Sequence, residues 1–212
     1  MQNNISTIYS DTETQHFRNE IKTAIHDFME YTESEDILGI ILRAQIYIEN
    51  DLDILLRKLL THPEKISLQF FSAKLDAAYA LGGIDDDWYH ALKKLNKIRN
   101  KCAHDFKYKF TEDDYNDLIS TLSKDAKNEF QHNLKQEEWA NEIIAAFNNK
   151  PTTTLSQKYQ LRVLLSDFML YMMQQHQSIS YVWKEINLTK ESQLLEERQL
   201  LLQKLISQKE NQ

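Results

Sequence analysis

The chain has 212 residues, a net charge of −7 and 42% hydrophobic residues. That is enough apolar material for a packed core and too much for a disordered chain. Three glycines and two prolines are too few turn formers for a sandwich or barrel, so the composition points to an all-α fold of long helices. Gly39, Gly82 and Gly83 cannot build a glycine-rich phosphate loop. Overall acidity also disfavours nonspecific DNA binding, because the polyanion repels it.

Cys102 is the single cysteine, so no intrachain disulfide forms, which suits a reducing cytoplasm. The polar start MQNNISTIYSDTETQ lacks an apolar signal core. No apolar run approaches the roughly 18 residues of a membrane span. A cytoplasmic location without membrane association is therefore expected, and the sequon Asn187-Leu188-Thr189 is expected to be idle.

Residues 1–11 read as a loose tail. A first helix is expected over 12–31, with Phe17, Ile21, Ile25 and Phe28 on one face. Ser34 is the expected cap of a second helix reaching about Thr61. Its apolar positions are denser than one face requires, which makes it the central core helix. Pro63 suits the first turn of a short helix.

Phe70-Phe71-Ser72 leads into a helix that Gly82-Gly83 should stop, since glycine tolerates left-handed backbone angles. Asp85 can cap the next helix, whose apolar stripe is Trp88, Leu92, Leu95 and Ile98. Residues 106–110 alternate but are too short and isolated for a confident strand. Thr111 with Asp114 resembles a capping box opening a helix to about Leu122.

A polar stretch over 123–150 contains a helical patch at Trp139, Ile143, Ile144 and Phe147, and Pro151 to Thr154 mark a break. A long apolar helix is expected from Leu155 to about Gln177. A separate segment over 189–210 carries Leu194/Leu195, Leu201/Leu202 and Leu205/Ile206. Its seven-residue spacing suits a short coiled coil or docking helix, and an amphipathic solvent-facing tail fits equally well. The domain reading is a helical bundle over 12–122 followed by a helical extension over 123–212.

Chemistry concentrates in Lys97-Ile98-Arg99-Asn100-Lys101-Cys102-Ala103-His104. Arginine is a permanent cation with a planar donor fork suited to phosphate, and histidine titrates near neutrality. Around them Lys93, Lys94, Lys97, Lys101, Lys107 and Lys109 face one acid, Asp105, which makes this stretch the candidate nucleic-acid contact. A solvated basic helix face is the plainer reading. On an ideal helix, Arg99 and His104 lie about 140° apart around the axis. They share a face only if the helix distorts or ends between them, or if two chains converge on a twofold axis.

In that last arrangement His104 would take a proton from a ribose 2′-OH, which attacks the adjacent phosphate. Arg99 would stabilise the transition-state charge and Asn100 would position the phosphate or the histidine. Such cleavage needs no metal. Alternatively, Arg99 only fastens helices together through an acid such as Glu33, Glu35 or Asp36.

Cys102 reads as a small core residue and the Met169, Met172 and Met173 group as core filler. Trp88 is expected in the core. No HExxH or CxxC pattern is present, so no metal and no cofactor are expected. His26, Asp27 and Glu30 can place ligands at one helical turn, but surface pairing is the simpler reading.

Phe71 to Gly82 (FSAKLDAAYALG), followed by Ile98-Arg99-Asn100 and Ala103-His104, resembles the mannitol operon repressor (MltR) family. The match covers roughly Glu33 to Leu122. The arginine-asparagine-three-residue-histidine pattern also resembles the wider HEPN superfamily of helical proteins. The resemblance implies an up-and-down helical bundle, often dimeric. It implies either a regulatory protein without its own helix-turn-helix, acting through a protein partner or RNA, or a metal-independent endoribonuclease of the toxin or defence kind using Arg99, Asn100 and His104. A non-catalytic dimerisation or antitoxin-like module is the third expectation.

Overall fold

Long runs without glycine or proline become long helices. The computed structural model describes residues 11–105, 107–135 and 157–210, the last twelve of them as backbone. These residues form α1 (Asp11–Tyr31), α2 (Ile37–Leu59), a 3-10 turn at Pro63–Lys65, α3 (Phe71–Ala80), α4 (Asp86–His104), α5 (Glu112–Ser120), α6 (Lys124–Lys135) and α7 (Gln157–Glu210). The protein is all-α, with no strand among the described residues.

Several starts and stops follow from side-chain chemistry. Asp85 accepts the Trp88 N–H at 3.1 Å and opens α4. Thr111 and Asp114 form a reciprocal capping box at the start of α5. Gly82 adopts φ +73° beyond α3, where a side chain would be strained. Asp36, not Ser34, caps α2, by accepting the Gly39 N–H at 2.8 Å. A carboxylate there both accepts the orphan N–H and suits the positive end of the helix dipole.

The central helix is α2. It buries Ile40, Ile41, Ala44, Ile48, Leu52 and Leu55 and packs against α7, α3 and α4. The first half of α7 answers it with Leu161, Leu164, Leu165, Phe168 and Met172, all fully buried. The core is thus shared between residues 12–122 and the start of α7. Met169, Met172 and Met173 lie in it, and Trp88 stacks on Tyr171 at 4.3 Å and meets Phe168 edge-on at 5.2 Å.

Polar tethers fix α7 in place. Arg162, only 3% exposed, donates from Nε to the Thr32 hydroxyl at 3.0 Å and from its terminal nitrogen to the Met29 carbonyl. Lys158 donates to the Glu33 carbonyl at 2.7 Å. Lys58 of α2 donates to the His176 carbonyl at 2.9 Å and the Ser180 hydroxyl at 2.6 Å. Burial pushes its ammonium pKa down.

Two expectations need correction. The helices expected at 155–177 and 189–210 are one continuous helix of 54 residues, roughly 80 Å long at 1.5 Å per residue. Residues 178–188 contain no glycine or proline, so nothing breaks the hydrogen-bond ladder between them. The polar stretch after Leu122 also begins with a helix, α6, where Ser123 accepts the Ala126 N–H at 3.2 Å and Phe130 is buried. The patch at Trp139 to Phe147, the break at 151–154, Phe106 and residues 1–10 lie outside the described residues. So do the side chains of Leu201, Leu202, Leu205 and Ile206.

Candidate functional site

The apolar stripe of α4 (Leu92, Leu95, Ile98) is buried against the bundle, which turns Asn96, Arg99 and Asn100 toward a gap beside α2. A cavity of about 230 Å³ lies there, between α2, α4 and the residues that open α3. Arg99 is half-buried and donates to the Asn100 side-chain carbonyl at 3.0 Å. Its Nε is buried and has no hydrogen-bond partner. Two of the three acids proposed as its partners are engaged elsewhere: Glu35 pairs with Arg43 and Asp36 caps α2.

His104 is not part of this cavity. It is exposed and forms the last residue of α4, which runs unbroken from Asp86. Arg99 and His104 therefore sit on different faces of one regular helix. Within one chain, Arg99 and Asn100 come together and His104 stays apart. Cys102 is half-buried and packed against the core, and burial pushes its thiol pKa up, which disfavours the nucleophilic thiolate.

Much of the basic stretch is matched by acids or rings of the same chain. Lys93 donates to the Tyr89 hydroxyl at 2.7 Å and lies 3.9 Å from Asp76. Lys94 pairs with Asp117. Lys101 lies 3.7 Å from Asp114 and over the Tyr108 ring at 5.5 Å. Lys97 and Lys109 are exposed, and Lys107, also exposed, donates its backbone N–H to Asp105.

Among the described residues, His26, Asp27 and Glu30 are the group with ligand atoms close enough to hold a cation, within 4.8 Å of one another. All three come from one turn of α1. His26 lies 3.6 and 3.7 Å from the two carboxylates, which reads as a surface ion pair.

Three features of the cavity escaped the reading of the sequence. Gln45 on α2 is only 3% exposed, and its Oε1 has no hydrogen-bond partner. Ser72 and the start of α3 form another wall, and α3 has no side-chain cap. Gln45 was visible as the one amide within the apolar run Ile40 to Ile48. The uncapped start of α3 had no sequence signal that placed it beside Arg99.

The fold and this groove define an all-helical protein with an arginine-centred polar cleft. Comparison with protein-family models, with curated proteins and with solved structures gives no match.

Proposed function

We propose that the chain is a regulatory protein, similar in role to the mannitol operon repressors, that acts by docking a protein partner on the second half of α7. The observation that carries this reading is the exposure of that half. Val182 is 51% exposed, Trp183 45% and Leu195 58%, and Ile186, Leu188 and Leu194 are exposed with them. Such a run of large apolar side chains along a projecting helix is a surface for another helix. Residues 181–210 hold five cations and five anions, so this arm is neutral although the whole chain carries −7, and an acidic partner is not repelled there. The internal pairing of Lys93, Lys94 and Lys101 supports a protein partner over RNA. No helix among the described residues is long and apolar enough to cross a membrane.

Transcript profiling tests the proposal. Deleting the gene in its own cell is expected to change a defined set of transcripts. Wild-type protein should restore them, and Trp183→Lys with Leu195→Lys should not. Unchanged transcripts on deletion would sink the regulatory reading.

A second reading, metal-independent RNA cleavage by a homodimer, is favoured by one observation. Arg99 lines an open groove while His104 is exposed on the same helix, so only a second copy can bring the two side chains together. Purified protein is expected to leave several RNAs intact in EDTA. Cleavage abolished by both Arg99→Ala and His104→Ala would establish the nuclease instead.

A further inference from the structure

The arm of α7 continues past the last contact that ties it to α1. Lys184 pairs with Glu13 at 3.0 Å, close to the start of α1 at Asp11. Beyond this level residues 185–196 are all exposed, and the backbone stays helical to Glu210. A lone helix of that length is marginal in water. Its leucines recur every seven residues, at 188, 195 and 202 and again at 194 and 201, and Leu188 and Leu194 are 46% and 50% exposed. Seven-residue spacing is the pattern of a helix that packs lengthwise against another helix.

The distribution of charge identifies that other helix. Residues 185–197 carry a net charge of −3 and residues 198–210 a net charge of +2. Laid against its own reverse, such an arm sets its acidic half beside its basic half. A twofold axis between Leu194 and Leu195 gathers four leucines at the centre. It sets Glu191 level with Arg198 of the second copy on both sides, and Leu188 level with positions 201 and 202. Glu191 and Arg198 are both exposed and stand seven residues apart, so they share one seam of the helix. A parallel pair would oppose Glu191 to Glu191 and Arg198 to Arg198. It would also bring together two bundles that each carry −6, since residues 185–210 hold only −1 of the chain's −7. An antiparallel pair keeps the bundles at opposite ends.

From these features we infer that the arm of α7 pairs with the arm of a second copy of this chain, as an antiparallel two-helix coil over residues 185–210. The inference rests on the reading of the arm as a docking surface and names its occupant. The interface is separate from α4, which carries Arg99 and His104.

Sedimentation equilibrium of the full chain, over about 1–200 µM, tests this. A dimer with a Kd on the order of 10 µM is expected. Leu194→Asn with Leu195→Asn, at two exposed positions, should raise the Kd by about 100-fold or more. Glu191→Arg alone and Arg198→Glu alone should each raise it by about tenfold, by setting like charges against each other on both sides of the centre. Glu191→Arg together with Arg198→Glu should restore the wild-type Kd, because only an antiparallel pair opposes position 191 to position 198. Arg99→Ala and His104→Ala should leave the Kd unchanged. Circular dichroism confirms that each variant is folded. A monomer at about 200 µM, a dimer that the arm variants leave intact, loss of the dimer in a folded Arg99→Ala variant, or a double exchange that stays weak overturns the inference. The regulatory reading fails separately. A monomeric chain whose transcripts still depend on Trp183 and Leu195 overturns the second copy and leaves regulation to another partner. A dimeric chain with unchanged transcripts on deletion upholds the coil and sinks the regulation.

Discussion

Replacing Arg162 with alanine is expected to lower the folding free energy by about 2–4 kcal/mol. The guanidinium lies inside the protein and spans from α7 to the end of α1, where it satisfies the Met29 carbonyl and the Thr32 hydroxyl. Met29 belongs to the last turn of α1, whose carbonyls have no partner within the helix. A cation at that end also suits the helix dipole. Removing it leaves a buried carbonyl unpaired and opens a gap in the α1–α7 contact.

Burial holds the Arg162 pKa below its ordinary value, yet arginine stays charged at any working pH, so this loss should not depend on pH. Arg162→Met keeps the stem and removes the donors. Its urea midpoint, compared with that of Arg162→Ala, separates hydrogen bonding from packing. A change under about 0.5 kcal/mol in Arg162→Met would show that the tether contributes nothing.

Asp167→Asn should stabilise the protein above neutral pH, on the order of 4 kcal/mol at its upper limit. Burial between α6 and α7 pushes the Asp167 carboxyl pKa up to about 7, opposed by the Asn133 amide and assisted by Glu129. Asn133 donates to Oδ1 at 2.8 Å, while Oδ2 is buried without a partner. The folded state therefore prefers the protonated acid. Its contribution is fully present below the unfolded value near 4 and is lost as the pH rises through about 7. Asparagine keeps the acceptor for Asn133 and removes the ionisation. The wild type should lose stability between pH 5 and pH 8, and the variant should lose less over the same window. Parallel curves for the two proteins would refute the assignment.

These two residues show how position changes what a charged side chain means. Both sit in the stretch Leu161 to Leu170, where they interrupt an apolar helix. In the sequence they read as breaks in a core-facing pattern. In the fold each is the polar contact of α7 with a different neighbour, α1 through Arg162 and α6 through Asp167.

The all-helical class was legible before any coordinates, because few glycines and prolines leave only long helices as an outcome. Local stops and starts were legible as well where one side chain acts on its own backbone, as at Asp85, Thr111 and Gly82. These are interactions across three or four residues, and sequence spacing encodes them directly. The continuity of α7 was harder to read, since a polar face between two apolar stretches looks the same whether the helix breaks or projects into solvent.

Arg99 and Asn100 could be picked out as functional side chains, but their company could not. Gln45 is more than fifty residues before them, and it reaches the same cavity only because α2 packs against both α3 and α4. The separation of Arg99 from His104 likewise depended on whether α4 ran straight past both of them. Periodicity along a chain reports which face a residue occupies. Which faces then meet is settled by helix packing, through contacts whose partners lie far apart in sequence.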